Sequence, residues 1–339
     1  MTRVAINGLG RIGRAALKIM LDTPELELVA ANDIVPPENI AYLLKYDTVY
    51  GRYEKTVASE GDDLIIDGKR YKLFSEKDPA QLPWGALGVD IVFECSGVFT
   101  RRKDLAKHIE AGAKNVILSA PTKSEDVATV VHGVNRPEEG TAQIMSCASC
   151  TTNCITPVVE IMGRRIGVKK ALLTTIHAYT ASQTLVDAPN KHMRRGRAGA
   201  ANFVPTSTGA AIATSKALPQ YTGRFDGVAV RGPVPAGSLA DIVFLTERKT
   251  TVEEVNRVFK EEAASERYKD ILGVSEDPIV SSDIIQDSRA SIVDLGMTQV
   301  VDGDLVKVMS WYDNEWGYSN QMVREAVRLA KAFEPAPAG

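Results

Sequence analysis

The stretch Val4-Ala5-Ile6-Asn7-Gly8-Leu9-Gly10-Arg11-Ile12-Gly13 decides how the first half of this chain folds. Its apolar start predicts a buried strand, and the G-x-G-x-x-G pattern that follows opens a helical repeat of apolar residues. In this context Gly8 allows a tight turn, Gly10 lets backbone approach a pyrophosphate, and Gly13 lets helix and strand pack closely. The helix N-terminus adds N–H donors and a partial positive charge. The segment therefore predicts a dinucleotide-binding turn.

Asp33 stands twenty residues after Gly13, at the end of a second predicted strand. A carboxylate at this place reaches ribose hydroxyls and repels a 2′-phosphate, so the sequence favours NAD over NADP. The alternative is a glycine-rich turn without a ligand, followed by a solvent-facing Asp33. The regular order of strand, glycines, helix, strand and acid favours the nucleotide site.

Through the first half, short apolar strands alternate with helices, among them a helix at 103–111 with Thr100 as its N-cap. This alternation predicts a doubly wound (Rossmann) parallel sheet of the α/β class. Beyond residue 150 longer strands dominate, which predicts an α+β domain with a mixed or antiparallel sheet. We therefore expect an NAD-binding domain at 1–149 and a catalytic domain at 150–317. A last helix, at 318–339, is expected to pack back on the first domain.

Composition limits the classes of function. The 339 residues include 40 Lys and Arg against 43 Asp and Glu, a formal net charge of −3. No basic excess attracts nucleic acid or an anionic membrane, and no run of about 18 apolar residues predicts a membrane span. The four cysteines are too few and too clustered for a disulfide framework in a chain of this length. A reducing, cytoplasmic compartment is therefore expected.

A cysteine-rich segment marks the start of the second half. Ser149 is a favourable N-cap, which places Cys150 in a first helical turn, where the helix field should lower the thiol pKa. Cys154 shares a face with Cys150 and is interpreted as a small buried residue. Zinc binding by Cys147, Cys150 and Cys154 is a weaker alternative, because the spacing lacks a matching second pair. A Cys147–Cys150 redox pair is another minority interpretation. No metal site is expected.

Of the four histidines, His177 is the candidate general base, because it ends a predicted strand and precedes a polar loop. A structural histidine is the alternative, and the presence of a cysteine nucleophile elsewhere weakens it. His108 lies in a charged helical face and His132 stands beside Gly133, so both are interpreted as surface or structural residues.

Three features suggest that the chain binds small anions. The basic run at 191–197 fits a phosphorylated substrate or intersubunit ion pairs better than nucleic acid, given the net charge. Residues 206–209 offer hydroxyls and a flexible backbone N–H, although a plain loop is the alternative. Arg231 is a lone cation at a strand end.

Five motifs occur in one order along nearly the whole chain: Asn7–Arg14, Leu43–Asp47, Ala148–Cys154, Pro205–Ala211 and Ser310–Tyr318. Together they resemble the phosphorylating, glycolytic type of glyceraldehyde-3-phosphate dehydrogenase. The resemblance implies a two-domain homotetramer that oxidises glyceraldehyde 3-phosphate, with NAD and inorganic phosphate, to 1,3-bisphosphoglycerate. It also implies a cysteine thiohemiacetal and a thioester as intermediates.

The resemblance further assigns roles to individual residues. Cys150 would be the nucleophile and His177 its base. Thr180 and Arg231 would hold the substrate phosphate. The attacking phosphate would be held by Ser149, Thr151, Thr208 and Gly209, with Arg195 supporting the anion region. The residues expected to bind NAD are Gly8, Gly10, Arg11, Ile12, Gly13, Asp33, Lys77, Ser119 and Asn314.

Two departures from the family pattern and two rival functions stay open. Cys147 replaces a usual Asn, which suggests that the site is sensitive to oxidation, and Gly232 replaces a Val-like residue beside Arg231. The nearest enzymatic rival is an erythrose-4-phosphate dehydrogenase. A non-catalytic NAD-sensing protein is the rival from another class, and intact Cys150 and His177 argue against it.

Overall fold

The computed structural model describes residues 1–137 and 142–331. It divides into two compact units. The first comprises Met1–Val130, Arg136–Ala148 and the chain from Met322 onward, and the second comprises Val131–Asn135 and Ser149–Gln321. The boundary predicted from the sequence, which separates an NAD-binding domain from a catalytic domain between residues 149 and 150, stays a prediction. Among the described residues no helix is long and apolar enough to cross a membrane.

In the described part of the chain up to residue 148, the α-helices and strands are short. In chain order they are β1 (Thr2–Asn7), α1 (Arg11–Leu21), β2 (Leu26–Asn32), α2 (Pro37–Lys45), β3 (Tyr46–Asp47), β4 (Gly51–Arg52), β5 (Val57–Glu60), β6 (Asp63–Ile66), β7 (Lys69–Phe74), β8 (Ile91–Glu94), α3 (Arg102–Glu110), β9 (Asn115–Leu118), β10 (Ala128–Thr129) and β11 (Ile144–Ser146).

The elements after residue 148 include the longer strands. In chain order they are α4 (Cys150–Arg165), β12 (Val168–Ala178), β13 (Val204–Ser207), α5 (Ala210–Ala217), β14 (Phe225–Gly232), β15 (Ser238–Thr246), α6 (Val252–Ala263), β16 (Leu272–Ser275), β17 (Ser291–Val301), β18 (Leu305–Tyr312) and α7 (Trp316–Lys331). The predicted C-terminal helix corresponds to α7, and its predicted end beyond residue 331 lies outside the described residues.

The first unit contains a nine-stranded sheet in the order β10-β11-β9-β8-β1-β2-β7-β6-β5. The strands from β10 to β7 are parallel, and only the hairpin edge formed by β7, β6 and β5 is antiparallel. Their apolar runs are buried on both faces, as a parallel sheet requires. Since β1 lies between β2 and β8, the glycine turn that follows it opens beside the carboxyl ends of both neighbours.

The second unit contains a seven-stranded mixed sheet in the order β13-β14-β12-β15-β18-β17-β16. Only the β12–β14 and β16–β17 pairs are parallel. Along β15 buried and half-buried residues alternate without interruption, so one face of the sheet packs on the core. α4 contributes Val158, Ile161 and Met162 to that core, against Ile242 and Phe244 of β15. The predicted α/β class, with a parallel sheet and a mixed sheet, is confirmed.

Of the two alternatives for His108, surface or structural, its environment fits the structural one. The side chain is completely buried. Trp84 Nε1 donates to its Nδ1 at 3.0 Å, and its Nε2 lies 3.0 Å from Oε2 of the buried Glu94. Because Trp84 can only donate, Nδ1 must be the acceptor and Nε2 must carry the proton that Glu94 accepts.

Candidate active site

The glycine turn has the geometry that its sequence predicts. Gly8 has φ +94°, a left-handed conformation that a side chain rarely adopts, and a Cβ there would lie 2.5 Å from Ser96 backbone. A Cβ on Gly13 would lie 1.9 Å from the Gly8 carbonyl oxygen, so helix α1 can pack on the turn only with glycine at this position. By contrast, a Cβ on Gly10 would meet no atom within 4 Å. The open space at Gly10 fits the approach of a ligand to the backbone.

Asp33 closes the same turn from the end of β2. Its Oδ2 accepts a 2.6 Å hydrogen bond from the Leu9 N–H, and its Oδ1 accepts one from the Val35 N–H. A carboxylate has about four acceptor sites, so both oxygens can still accept ribose hydroxyls. Asp33 therefore orders the glycine turn and presents negative charge beside it. This geometry fits NAD.

A pocket of about 380 Å³ opens at this place. Among the predicted cofactor residues, Gly8, Gly10, Asp33 and Lys77 line it. The other five are outside its lining: Arg11, Ile12, Gly13, Ser119 and Asn314. Arg11 Nη1 instead lies 2.6 Å from Asp47 Oδ2, while Gly13 packs beneath the turn.

Sequence reasoning missed a buried polar network beneath this pocket. Glu94 Oε2 accepts from Asn7 Nδ2 at 2.6 Å, and Asn7 Oδ1 accepts from Asn32 Nδ2 at 2.7 Å. Asn32 also bonds the backbone N–H and carbonyl of Glu76, one residue before Lys77. The network joins the ends of β1, β2 and β8 to the loop after β7. The sequence does carry a signal for this network, because each of the three buried strands ends in a polar residue: Asn7, Asn32 and Glu94.

In the second unit, Ser149 caps α4 as predicted. Its Oγ accepts from the Thr152 N–H at 3.1 Å, so Cys150 is the first residue of the helix. Ala148 has φ +55°, an uncommon conformation for a residue with a side chain. The strained residue and the cap together turn the chain sharply just before Cys150.

Cys150 and His177 lie side by side. The Cys150 Sγ is 3.4 Å from His177 Nε2, and the imidazole is 5% exposed. His177 is the penultimate residue of β12, and the parallel register of β12 and β14 pairs it with Arg231. The opposite ring nitrogen, Nδ1, lies 2.7 Å from the Ala178 carbonyl oxygen and 2.5 Å from Arg231 Nη1. The Tyr312 ring packs edge-on against the imidazole.

The electrostatics of this pair differ from the sequence expectation. Burial raises the pKa of the Cys150 thiol, although the charge of Arg231 and the Thr151 N–H both act to lower it. This direction is opposite to the one expected from the helix field, because desolvation by burial is the largest influence on the pKa of Cys150. Burial also lowers the pKa of His177 to about 3, and Arg231 acts in the same direction. The resting pair is thus neutral imidazole and thiol.

The predicted anion-binding residues each make hydrogen bonds within the second unit. Arg195 donates from Nε to Thr206 Oγ1 at 3.0 Å, and Thr208 Oγ1 accepts from the Ala210 N–H beside Gly209, the N-cap of α5. The Thr180 hydroxyl lies 2.8 Å from that of Ser182. Thr151 is buried, and its hydroxyl bonds Tyr312 at 2.9 Å. Thr151 is therefore already engaged, whereas Thr180, Arg195 and Thr208 stay partly exposed.

Asn314 belongs to the second unit, and its orientation is fixed by a residue that sequence reasoning missed. Ser238 Oγ donates to Asn314 Oδ1 at 2.9 Å and accepts from the Ala178 N–H at 3.1 Å. The Asn314 amide nitrogen is therefore the group left to bind a ligand. Ser238 is the first residue of β15, and an isolated serine at a strand start carries no signal of this role.

The remaining cysteines show no metal site. Within residues 1–137 and 142–331, no cluster of three or more His, Cys, Asp or Glu side chains could hold a metal ion. All four cysteines are free thiols. Cys154 is fully buried beside Ser291 and Ser310, and burial raises its pKa to about 12. Its interpretation as a structural residue fits this environment.

Comparison with known proteins covers both halves of the chain. Residues 2–102 match the family model described as glyceraldehyde 3-phosphate dehydrogenase, NAD binding domain, and residues 149–314 match the C-terminal domain of the same enzyme. A relative named glyceraldehyde-3-phosphate dehydrogenase 2, from Streptomyces avermitilis, is 48% identical over 95% of this chain and 96% of its own. Two proteins of that name, from Bacillus subtilis (numbered 1) and Mycobacterium bovis, are 47% and 49% identical over at least 97% of both chains.

Proposed function

The chain belongs to the glyceraldehyde 3-phosphate dehydrogenase family, and on that premise we propose that it converts D-glyceraldehyde 3-phosphate, NAD and inorganic phosphate into 1,3-bisphosphoglycerate and NADH. The resemblance of the five sequence motifs to this family is confirmed. The single observation that supports the detailed reaction is the 3.4 Å approach of Cys150 Sγ to His177 Nε2 at the first turn of α4.

The roles of Cys150 and His177 follow from the chemistry of an aldehyde. The Cys150 sulfur adds to the aldehyde carbon and forms a thiohemiacetal. His177 Nε2 then takes the hydroxyl proton while the carbon loses its hydride. The resulting thioester keeps the acyl group activated, and inorganic phosphate displaces the thiol. A serine in place of Cys150 would give an ester, which is a poorer acyl donor.

The residues of the first unit would bind NAD, which supplies the hydride acceptor when bound. The open backbone at Gly10 and the N-terminus of α1 fit a pyrophosphate, and Asp33 fits ribose hydroxyls rather than a 2′-phosphate. Arg11, Ile12 and Ser119 stay proposed contacts. Asn314 would fix the nicotinamide carboxamide through its amide nitrogen, because Ser238 occupies its oxygen.

Two anion subsites would serve the two phosphates of the reaction. Arg231 and Thr180 would hold the phosphate of the aldehyde, and the helix starts at Ser149 and Gly209 would help to hold the attacking phosphate, where backbone N–H groups favour anions. With a net charge of −3, attraction of these substrates must be local. Thr208 and Arg195 would complete the second site, and Thr151 would join it only if its hydroxyl exchanged the bond to Tyr312 for one to the phosphate.

The assembly and the location belong to the same proposal. The sheet of the second unit exposes apolar side chains on its outer face, including Leu172 and Val228, which supports a homotetramer. The four free thiols fit a reducing cytoplasm.

NAD reduction by glyceraldehyde 3-phosphate, with and without inorganic phosphate, tests this function. We expect sustained NADH formation only when phosphate is present, a higher kcat/KM with NAD than with NADP, and loss of at least about 10³-fold in the Cys150→Ser variant. Phosphate-independent turnover, or a preference for erythrose 4-phosphate, would favour the rival dehydrogenase. Absence of turnover with intact NAD binding would favour an NAD-sensing protein.

A further inference from the structure

Arg231 makes a contact with His177 that the reaction scheme does not require. Its Nη1 lies 2.5 Å from His177 Nδ1 and 3.0 Å from the Ala178 carbonyl oxygen. The same carbonyl lies 2.7 Å from His177 Nδ1. Arg231 Nη1, His177 Nδ1 and the Ala178 oxygen therefore all lie within 3.0 Å of one another.

The contacts at His177 Nδ1 depend on which ring nitrogen carries the single proton of the neutral imidazole. The Ala178 oxygen only accepts, so its contact needs a proton on Nδ1. The Arg231 guanidinium only donates, so its contact needs a lone pair on Nδ1 and places the proton on Nε2. In that tautomer Nε2 points an N–H at the Cys150 sulfur and has no lone pair for a substrate proton. A working base needs the opposite arrangement, with the Nδ1–H donating to the Ala178 oxygen. Arg231 occupies both atoms that this arrangement uses.

The Arg231 guanidinium also lacks part of its hydrogen bonding and has no opposite charge acting on it from a carboxylate among the residues that the structure describes. Its Nε is buried without a hydrogen-bond partner. Burial lowers its pKa, and the charged or polar groups that influence it among the described residues are Cys150, Tyr312 and Arg195, with no carboxylate among them. A half-buried guanidinium beside a neutral ring gains strongly from an anion, because an anion supplies the missing charge and acceptors.

We propose that Arg231 holds His177 in its inactive tautomer until the anionic group of the aldehyde substrate draws the guanidinium away, so that the substrate phosphate switches on the base. This inference rests on the proposed function. When Arg231 turns to the anion, the ring exchanges its Nε2–H for an Nδ1–H, with no net gain of protons. Nδ1 then donates to Ala178, and Nε2 is free to accept.

The test separates the phosphate from the aldehyde. Hydride transfer from unphosphorylated D-glyceraldehyde is followed as a single turnover of NADH formation, without inorganic phosphate, with and without added phosphite dianion. We expect phosphite to raise the rate constant at saturating aldehyde by about tenfold or more. A single turnover precedes acyl release, so phosphite acting as an acceptor does not contribute.

Two variants make the test specific. In Arg231→Met the guanidinium is gone, and we expect glyceraldehyde alone to react several-fold faster than in the wild type, without further response to phosphite. Arg248→Met is the control, because Arg248 pairs with Glu254 at the surface rather than with His177 and should keep the phosphite response.

The inference is overturned if phosphite leaves the wild-type rate constant unchanged, if it activates Arg231→Met equally, or if Arg231→Met is slowed with glyceraldehyde as much as with glyceraldehyde 3-phosphate. The wild-type comparison does not depend on whether a variant folds. Full turnover of glyceraldehyde 3-phosphate with phosphate tests the proposed function separately, so normal turnover without phosphite activation rejects only the switch.

Discussion

Cys147 lies three residues before Cys150, but its environment is that of a structural thiol. It is 3% exposed, and burial raises its pKa well above the ordinary value, with Glu325 acting in the same direction. Oxidants attack the thiolate, so a buried and protonated thiol reacts slowly. The burial of Cys147 therefore argues against the idea, drawn from the sequence, that this extra cysteine makes the site sensitive to oxidation, and that idea stays a prediction to be tested.

We expect Cys147→Asn to leave the rate of inactivation by hydrogen peroxide unchanged within about twofold. The measurement is loss of NADH-forming activity over time at several peroxide concentrations. Adding a reversible aldehyde substrate should protect both the wild type and the variant, since the substrate covers Cys150. A markedly slower inactivation of Cys147→Asn would show that the Cys147 thiol takes part.

At the residue scale, local features of the site could be predicted from the sequence and long-range contacts could not. Ser149 as a cap and Cys150 as the first helical residue were predictable, because both follow from local backbone geometry. The direction of the Cys150 pKa shift was not, because desolvation depends on what distant residues pack around the sulfur. Arg231 beside His177 was equally hidden, since the pairing of β12 with β14 joins residues 54 positions apart.

At the scale of elements, the strand–turn–helix unit of β1 and α1 was predictable from its glycines, whereas the start of α3 was not. Thr100 was expected to cap that helix, but α3 begins at Arg102, with Arg101 at the N-cap position. The Arg102 N–H instead donates to Ser124 Oγ at 3.0 Å. A cap supplied from a loop 22 residues away leaves no local signal, so the Thr100 prediction is wrong.

The glycine turn gives a prediction with its own control. Gly13→Ala should destabilise the protein by about 3 kcal/mol, because the added Cβ would lie 1.9 Å from the Gly8 oxygen and must displace the turn. Gly10→Ala should leave the melting temperature unchanged, since a Cβ there meets nothing within 4 Å and its φ of −64° suits alanine. Its methyl group should nevertheless weaken NAD binding by about tenfold, by blocking approach to the backbone.

Thermal unfolding without ligand and calorimetric titration with NAD separate the two effects of these substitutions. An unchanged melting temperature for Gly13→Ala would show that the turn can shift without cost. Undiminished NAD affinity in Gly10→Ala would place the pyrophosphate elsewhere.

At the scale of the whole molecule, the outer face of the seven-stranded sheet is the feature that needs a partner. Ladder pairing aligns Leu172 with Val243, and Ile176 with Val230 and Leu239, so these apolar side chains share one face. Leu172 is 66% exposed and Val228 is 52% exposed. An apolar face of this extent on a sheet is typical of a subunit interface, and the family resemblance implies a homotetramer.

Leu172→Glu should therefore dissociate an assembly that uses this face, because burying the carboxylate against apolar side chains removes its hydration. Light scattering after gel filtration is expected to show a smaller species for Leu172→Glu than for the wild type at the same protein concentration. Leu172→Met, which keeps the face apolar, should retain the wild-type mass. A wild-type mass for Leu172→Glu, or a monomeric wild type, would exclude this face as a subunit interface and leave its exposed leucine and valine side chains in water.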